Sequence, residues 1–289
     1  MTIQWFPGHM LETENLLKKA ISKVDVVLEI LDARLPNASA NPFVNKICKD
    51  KFRLKVLNKC DLADPEQTCL WLNYFETQQK IPAIAISGSQ KLQAFEALNY
   101  CVNKIKRNPA RKLKVMVIGI PNTGKSTILN SLAGKKIAKT GNVPAITRHQ
   151  QRTSLKNNID IYDTPGILWP VIEPEQKAYI LAASGAISDT AIDYNDIAFF
   201  AATLLIQRYP HLLMLRYPFL EIIPDDALTL IEKIGSARGC LKKGGVMNYQ
   251  KASEALIREL RAGKIGKISF ETPKDFEHDN ETSTHTSRS

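Results

Sequence analysis

The octapeptide Gly119-Ile120-Pro121-Asn122-Thr123-Gly124-Lys125-Ser126 fits G-x-x-x-x-G-K-[ST], and it restricts this chain more than any other stretch. Leu113, Val115, Val117 and Ile118 before it read as a buried strand, and residues 127 to 132 continue with helical spacing. In that setting a glycine-rich turn points successive backbone N–H groups at one anion beside a helix N-terminus. The expected ligand is a nucleoside triphosphate. Amides of Asn122, Thr123, Gly124, Lys125, Ser126 and Thr127 wrap the β-phosphate, the Lys125 side chain reaches the β and γ oxygens, and the Ser126 hydroxyl binds Mg²⁺.

Two further motifs narrow the ligand. Ile159, Ile161 and Tyr162 read as a strand ending at Asp163-Thr164-Pro165-Gly166. Asp163 is then a strand-end carboxylate placed to hold Mg²⁺ through its water, and Gly166 lets the backbone approach the γ-phosphate. Asn58-Lys59-Cys60-Asp61 matches N-K-x-D after a predicted strand from Phe52 to Leu57. The Asp61 carboxylate can accept hydrogen bonds from guanine N1 and N2. Adenine lacks those donors and would leave a buried carboxylate unpaired, a loss of roughly 2 to 4 kcal/mol, so GTP and GDP are the expected nucleotides.

Strands predicted at 24–31, 52–57, 83–86, 113–118 and 159–162 alternate with helical patterns, which predicts an α/β domain over residues 1–172, a parallel-sheet core with helices on both faces. Beyond Pro174 the strand signals vanish. Helical spacing at 178–187, 195–208, 211–217, 225–234 and 248–261 predicts a smaller all-α domain over residues 173–270. Residues 271–289 offer little to bury and are expected to be a disordered tail.

The formal charge of +10 is unevenly placed: from Val171 onward there are 14 Lys and Arg against 16 Asp and Glu, and before it 25 against 13. A polyanionic partner is favoured, and residues 135–156 contain basic but no acidic side chains. The connection around Lys104, Arg111, Lys112 and Lys114 fits a solvated linker as well as a nucleic-acid contact. Five scattered cysteines without a C-x-x-C pair predict a reduced compartment and no zinc site. The longest apolar run, 197–206, is too short to span a bilayer, so a cytoplasmic protein with no membrane partner is expected.

Taken with these motifs, Trp5-Phe6-Pro7-Gly8-His9-Met10, Asp32-Ala33-Arg34 with Asn41-Pro42, Asp163 to Pro170, and Arg238-Gly239-Cys240-Leu241 with Gly244-Gly245 resemble the YlqF/RbgA family of ribosome-assembly GTPases from Thr2 to about Phe270. In a conventional GTPase the base-reading motif follows the Asp-Thr-Pro-Gly switch. Here Asn58 to Asp61 precede Gly119, so the resemblance implies a circularly permuted P-loop GTPase domain.

The resemblance carries further assignments. It makes Thr147 the switch threonine that completes Mg²⁺ coordination. It makes Asn122 a ligand for K⁺ in a potassium-stimulated site, although an asparagine stabilising its own turn reads equally from the sequence. Ser87-Gly88-Ser89 falls where the family places a second base-contacting loop, with Gly88 in place of the usual Ala, which weakens that contact. Ile167 is apolar and cannot orient the attacking water. The resemblance points instead to His9 for this task, while capping of the first helix or RNA contact are the other readings of His9.

In the helical domain, the resemblance and a basic Gly-rich loop point to rRNA contact through Arg238, Lys242, Lys243, Lys251, Arg258 and Arg261. The implied function is GTP hydrolysis coupled to late assembly of the large ribosomal subunit, with its rRNA and ribosomal proteins as partners and no DNA. Stimulation by the particle and by potassium is implied with it. Another RNA-binding GTPase, such as a tRNA-modification partner, or a nucleotide-gated binding module with negligible hydrolysis are the alternatives.

Overall fold

The computed structural model describes residues 17–48, 50–105, 110–137, 151–155, 158–164 and 172–275. They form two compact units, one of residues 172–270 and the other of the preceding chain together with the segment from Glu271.

The first unit is built on a six-stranded sheet of β1 (Val26–Asp32), β2 (Phe52–Asn58), β3 (Ala83–Ile86), β4 (Leu113–Ile118), β5 (Gln151–Leu155) and β6 (Ile159–Asp163), in the order β3-β2-β1-β4-β6-β5. Every neighbouring pair is parallel except β5 with β6. The expected parallel-sheet core is present, and the antiparallel edge strand β5 is an addition to it that carried no strand signal in the sequence. Its sequence, Gln-Arg-Thr-Ser-Leu, is polar because the strand lies at an edge, and so it lacked the apolar signal that marks the others. Arg152, one of the basic residues of the 135–156 stretch, is tied there to Asp160 at 2.7 Å.

Alternation along β1 sends Val26, Leu28 and Ile30 to one face, where they pack with Val115, Val117 and Ile161 under the helices at Lys91–Lys104 and Lys125–Ala133. Val27 and Leu31 point to the other face, covered by α1 (Pro42–Ile47) and α2 (Pro65–Thr77). The helices at Lys91 and Lys125 are α3 and α4. Asn41 and Asp64 cap α1 and α2 by accepting from backbone amides, with Pro42 and Pro65 in the first turns.

One buried charge interrupts the apolar pattern of β1. Glu29 is fully buried and lies in register with Lys55 of β2, whose ammonium sits 3.4 Å from the carboxylate and 4.5 Å from the centre of the Phe75 ring. Burial pulls the Lys55 pKa down against the attraction of Glu29. The strand tolerates the carboxylate because its partner is directly across the ladder.

The second unit is helical: α5 (Glu175–Ser184), a 3₁₀ turn at Asp189–Ala191, α6 (Tyr194–Arg208), α7 (Pro210–Arg216), α8 (Ala227–Ala237) and α9 (Tyr249–Arg261). Ile197, Ala198, Ala201, Ala202 and Leu205 bury the inner side of α6, which packs with α5, α8 and α9. Among the described residues no single helix is long and apolar enough to cross a membrane. The tail expected to be disordered from residue 271 is anchored at its start: the buried Glu271 carboxylate accepts from the backbone amides of Asn37 and Ala38, and its carbonyl accepts from Trp71 Nε1 at 3.3 Å. Residues 276–289 lie outside the described ones.

Lys55→Met leaves the buried Glu29 with Arg53, 3.5 Å away, as its remaining charge partner and is expected to cost about 2–3 kcal/mol in urea unfolding. The double change Glu29→Leu with Lys55→Met is expected to stay within about 1 kcal/mol of the unaltered chain or exceed it. Additive losses would show that the two charges are not coupled.

Candidate functional site

The three nucleotide motifs follow the carboxyl ends of β2, β4 and β6. Strand pairing brings them together, because β4 aligns Val117 with Asp163, and the buried Thr164 hydroxyl donates to Val117 O at 2.8 Å. Ligands in α/β sheets bind at this edge of the strands.

Asn58 joins the site. Its Nδ2 donates to Thr123 O at 2.7 Å in the phosphate loop, and its Oδ1 accepts from Gly88 N at 2.7 Å in the 87–89 loop. The side chain is buried, so both bonds are made away from water. This close approach explains two glycines. Gly124 has φ of 92°, and a Cβ there would meet Asn58 Nδ2 at 2.1 Å. A Cβ on Gly88 would sit 2.6 Å from Ile128 Cγ1 and 2.7 Å from Asn58 Oδ1. The departure at Gly88 is therefore a packing requirement of this chain. Ser87 is buried, with its hydroxyl 3.0 Å from that of Ser89, and the Gly88 amide is spent on Asn58.

Lys125 opens α4, with Ser126 and Thr127 in the first turn. Its ammonium donates to Ile120 O at 2.8 Å across the loop, and burial lowers its pKa to about 8, opposed by the attraction of Asp163. Thr123 is buried and donates to Ile120 O at 3.1 Å. Asn122 takes φ of 61°, a left-handed conformation that asparagine accepts more readily than most residues, which either reading of this residue allows.

Asp163 is buried, and among the described residues neither carboxylate oxygen has a hydrogen-bond partner. Burial raises its pKa to about 6, although Lys125 opposes the rise. Orphaned hard oxygen donors beside the Ser126 end of α4 fit a Mg²⁺ site. The expectations for His9, Thr147 and Gly166 fall on residues outside the described ones.

A network not anticipated from the sequence holds the base-reading loop. Asp32, at the end of β1, accepts from Arg34 Nε at 3.0 Å and Nη2 at 2.8 Å, and from Lys59 Nζ at 2.8 Å. Burial alone would raise the Asp32 pKa, but Arg34 and Lys59 hold it well below the usual carboxylate range. The Arg34 charge also interacts with Asp61, which is exposed. Lys59 adopts φ of 63°, so the loop turns sharply between Asn58, which faces the phosphate loop, and Asp61. Asp32 and Arg34 were visible as a motif; that Lys59 meets Asp32 depends on the register of β1 with β2, which aligns Asp32 with Asn58.

In the helical unit the structure reduces the candidate RNA-contact set. Arg261 is turned inward: it donates to the carbonyls of Ala182 at 2.7 Å and Ala183 at 3.2 Å, closing the end of α5, and pairs with Asp189 at 2.8 Å. It acts as a structural cap, so its donors are engaged within the unit and it is not carried forward among the candidate RNA contacts. Arg238 pairs with Glu259 at 2.6 Å, and Arg258 with Glu254 at 3.0 Å. Lys242, Lys243 and Lys251 are exposed and, among the described residues, make no side-chain ion pair. The first two stand in a tight hairpin in which Leu241 bridges Met247, Lys242 N donates to Val246 O at 2.8 Å, and Gly244 and Gly245 take φ of 85° and 78°.

A family model described as "50S ribosome-binding GTPase" matches residues 114–203, which include the phosphate loop and Asp163 but not Asn58 to Asp61. The chain is 42% identical over 291 residues to Ribosome biogenesis GTPase A of Priestia megaterium, covering 96% of this chain and 99% of that protein. Against the protein of the same name from Thermotoga maritima it is 33% identical over 279 residues, covering 95% and 96%. The GDP-bound structure of Thermotoga maritima YlqF superposes with a TM-score of 0.66 at 30% identity, covering 90% of this chain and 99% of that one.

Asn58→Ala removes two buried hydrogen bonds and is expected to weaken GDP binding by about 2 kcal/mol, roughly thirtyfold, in titrations with a fluorescent GDP. Gly88→Ala, which removes no bond, is expected to weaken it in the same direction by steric displacement of Asn58. Unchanged affinity in both would mean that Asn58 does not position the loops. A second expectation concerns pH. The Asp32 pKa is lower folded than the roughly 3.9 of an unfolded aspartate, so its pairing stabilises the fold above that pH and is lost as the pH falls below it. Urea midpoints between about pH 5 and about pH 2 should therefore fall less steeply for Asp32→Asn than for the unaltered chain.

Proposed function

The chain belongs to the ribosome biogenesis GTPase A family, and on that premise we propose that it hydrolyses GTP while bound to the immature large ribosomal subunit in the cytoplasm. GTP favours the docked state late in assembly, and hydrolysis permits release. The observation that carries this reading is the tie from Asn58 to the phosphate and 87–89 loops, because it couples base reading and phosphate binding in one rigid site.

Lys125 exchanges its contact with the Ile120 carbonyl for the β and γ oxygens of the nucleotide. The phosphate charge restores the ammonium that burial disfavours. Ser126, Asp163 and Thr147 would hold Mg²⁺, which when bound would supply positive charge to the β- and γ-phosphates. Asp61 accepts from guanine, with Lys59 held beside it by Asp32. His9 orients the attacking water, since Ile167 cannot, and its placement is completed by rRNA or a ribosomal protein. Intrinsic turnover is therefore slow and stimulated by the particle. Asn122 would hold K⁺, which when bound would supply further positive charge near the transferred phosphate.

The division of labour follows the chain. Residues 1–172 form the permuted GTPase domain, and residues 173–270 the RNA-binding domain, which presents Lys242, Lys243 and Lys251 to rRNA phosphates. Because the chain runs directly from the Asp163 switch into α5, the nucleotide state reaches the RNA-binding domain through a covalent link.

Co-sedimentation with isolated ribosomal subunits in GDP, GTP and a non-hydrolysable analogue tests the reading. Binding is expected to large subunits, strongest with the analogue, with GTP turnover raised by those subunits and by potassium over sodium. Nucleotide-independent binding together with unstimulated turnover would overturn it. Asp61→Asn should transfer these responses from GTP to XTP, a change of roughly 100-fold in nucleotide preference.

A further inference from the structure

A second charged feature lies in the GTPase unit, away from the nucleotide motifs. A cleft of about 560 Å³ is lined by Lys19, Lys23, Lys51, Arg111, Lys114 and Tyr162, among others. Lys51, Arg111 and Lys114 stand at or just before the amino ends of β2 and β4, whereas the nucleotide motifs follow the carboxyl ends of the strands. The cationic side chains of the cleft thus lie toward the ends of β2 and β4 opposite the nucleotide motifs, and none of them belongs to those motifs.

Its charge is not neutralised from within. Among the described residues Asp25 is the one carboxylate in the lining, and it is engaged by Arg111 at 3.3 Å and by the Lys114 backbone amide at 2.9 Å. Lys51 donates to the carbonyls of Val24 at 2.8 Å and Ser22 at 3.4 Å, which fixes its ammonium at the wall. Among the described residues the side chains of Lys19, Lys23 and Lys114 have no carboxylate partner. Tyr162 is half-buried and adds a phenol to the lining. Cations converging on a concave surface raise the local potential for a polyanion more than the same charges on a flat one. An anionic membrane is a poorer match: the side walls are concave, and among the described residues none of the large exposed hydrophobic side chains borders the cleft to insert into lipid.

We infer that this cleft is a second RNA-binding site, which takes a phosphodiester backbone on the GTPase unit independently of the lysines of the helical unit. The identity of the RNA as ribosomal rests on the function proposed above; the recognition of phosphate rests on the cleft. Two separated phosphate contacts, one per unit, raise the effective concentration of each for the other, so loss of either weakens binding by more than its own contacts.

The test uses the full chain and Lys19→Ala with Lys23→Ala, both exposed, checked by a thermal melting curve matching the unaltered chain. Anisotropy titrations with a fluorescent duplex of large-subunit rRNA across salt concentrations are expected to show affinity about tenfold weaker and a log–log salt slope shallower by about 2 in the variant. On the unaltered chain, acetylation of Lys19, Lys23 and Lys114 read by mass spectrometry should be suppressed by the duplex. Equal slopes with unsuppressed acetylation overturn the inference, as does suppression by phosphatidylglycerol vesicles in place of RNA. If large subunits fail to bind while the duplex protects these lysines, the proposed function fails and the cleft stands. If subunits bind and the lysines make no difference, the function stands and the cleft fails.

Discussion

The Asn58 side chain spans the distance between two loops that follow different strands, and most of the site depends on that bridge. Its amide offers one donor and one acceptor in opposite directions, and Thr123 O and Gly88 N take them. An aspartate could not donate to Thr123 O, and a glutamine would project the amide farther than the space left by Gly124 and Gly88 allows. The glycines are consequences of the bridge: at each, a side chain would occupy the place of the Asn58 amide. The 87–89 loop is held in turn by the Ser131 hydroxyl of α4, which donates to Gly88 O at 2.7 Å, so the helix after the phosphate loop and the base-reading region are locked from both sides.

Beside this neutral bridge stands a charged one. Asp32, Arg34 and Lys59 form a buried ionic cluster whose members come from the ends of adjacent parallel strands. Buried ion pairs contribute little net stability but penalise every arrangement in which the partners separate. In this position the cluster fixes where the N-K-x-D turn stands relative to the sheet. Glu29 and Lys55 repeat the device one turn of the pleat deeper, where it enforces the register of β1 on β2. The central strand pair is thus specified by charge as well as by apolar packing, and the loops it carries inherit that register.

Permutation of the chain order leaves the physics of the nucleotide site unchanged, since the strands meet side by side whatever their sequence order. It changes what is attached to the switch strand. The chain leaving β6 passes directly to the helical unit, whose inward-turned Arg261 caps α5, the first helix after the switch. That cap shows why basic residues at helical spacing are an uncertain guide to RNA contact: Arg261 has the charge of Lys251 but spends it on carbonyl groups, as Arg238 and Arg258 spend theirs on carboxylates.

The α/β class, the five apolar strands, the helical second half and the three nucleotide motifs were legible in the amino-acid order. Each is encoded locally, by alternation, by turn chemistry or by contiguous residues with a shared ligand. The edge strand β5 was not legible, because a polar strand has the pattern of a loop until a partner strand is known. The partners of Asn58, the clash that excludes a side chain at Gly88, the pairing of Lys59 with Asp32 and the capping by Arg261 were decided only in three dimensions. They join residues far apart in the chain, and which groups meet depends on strand order and register, which no local run of residues specifies.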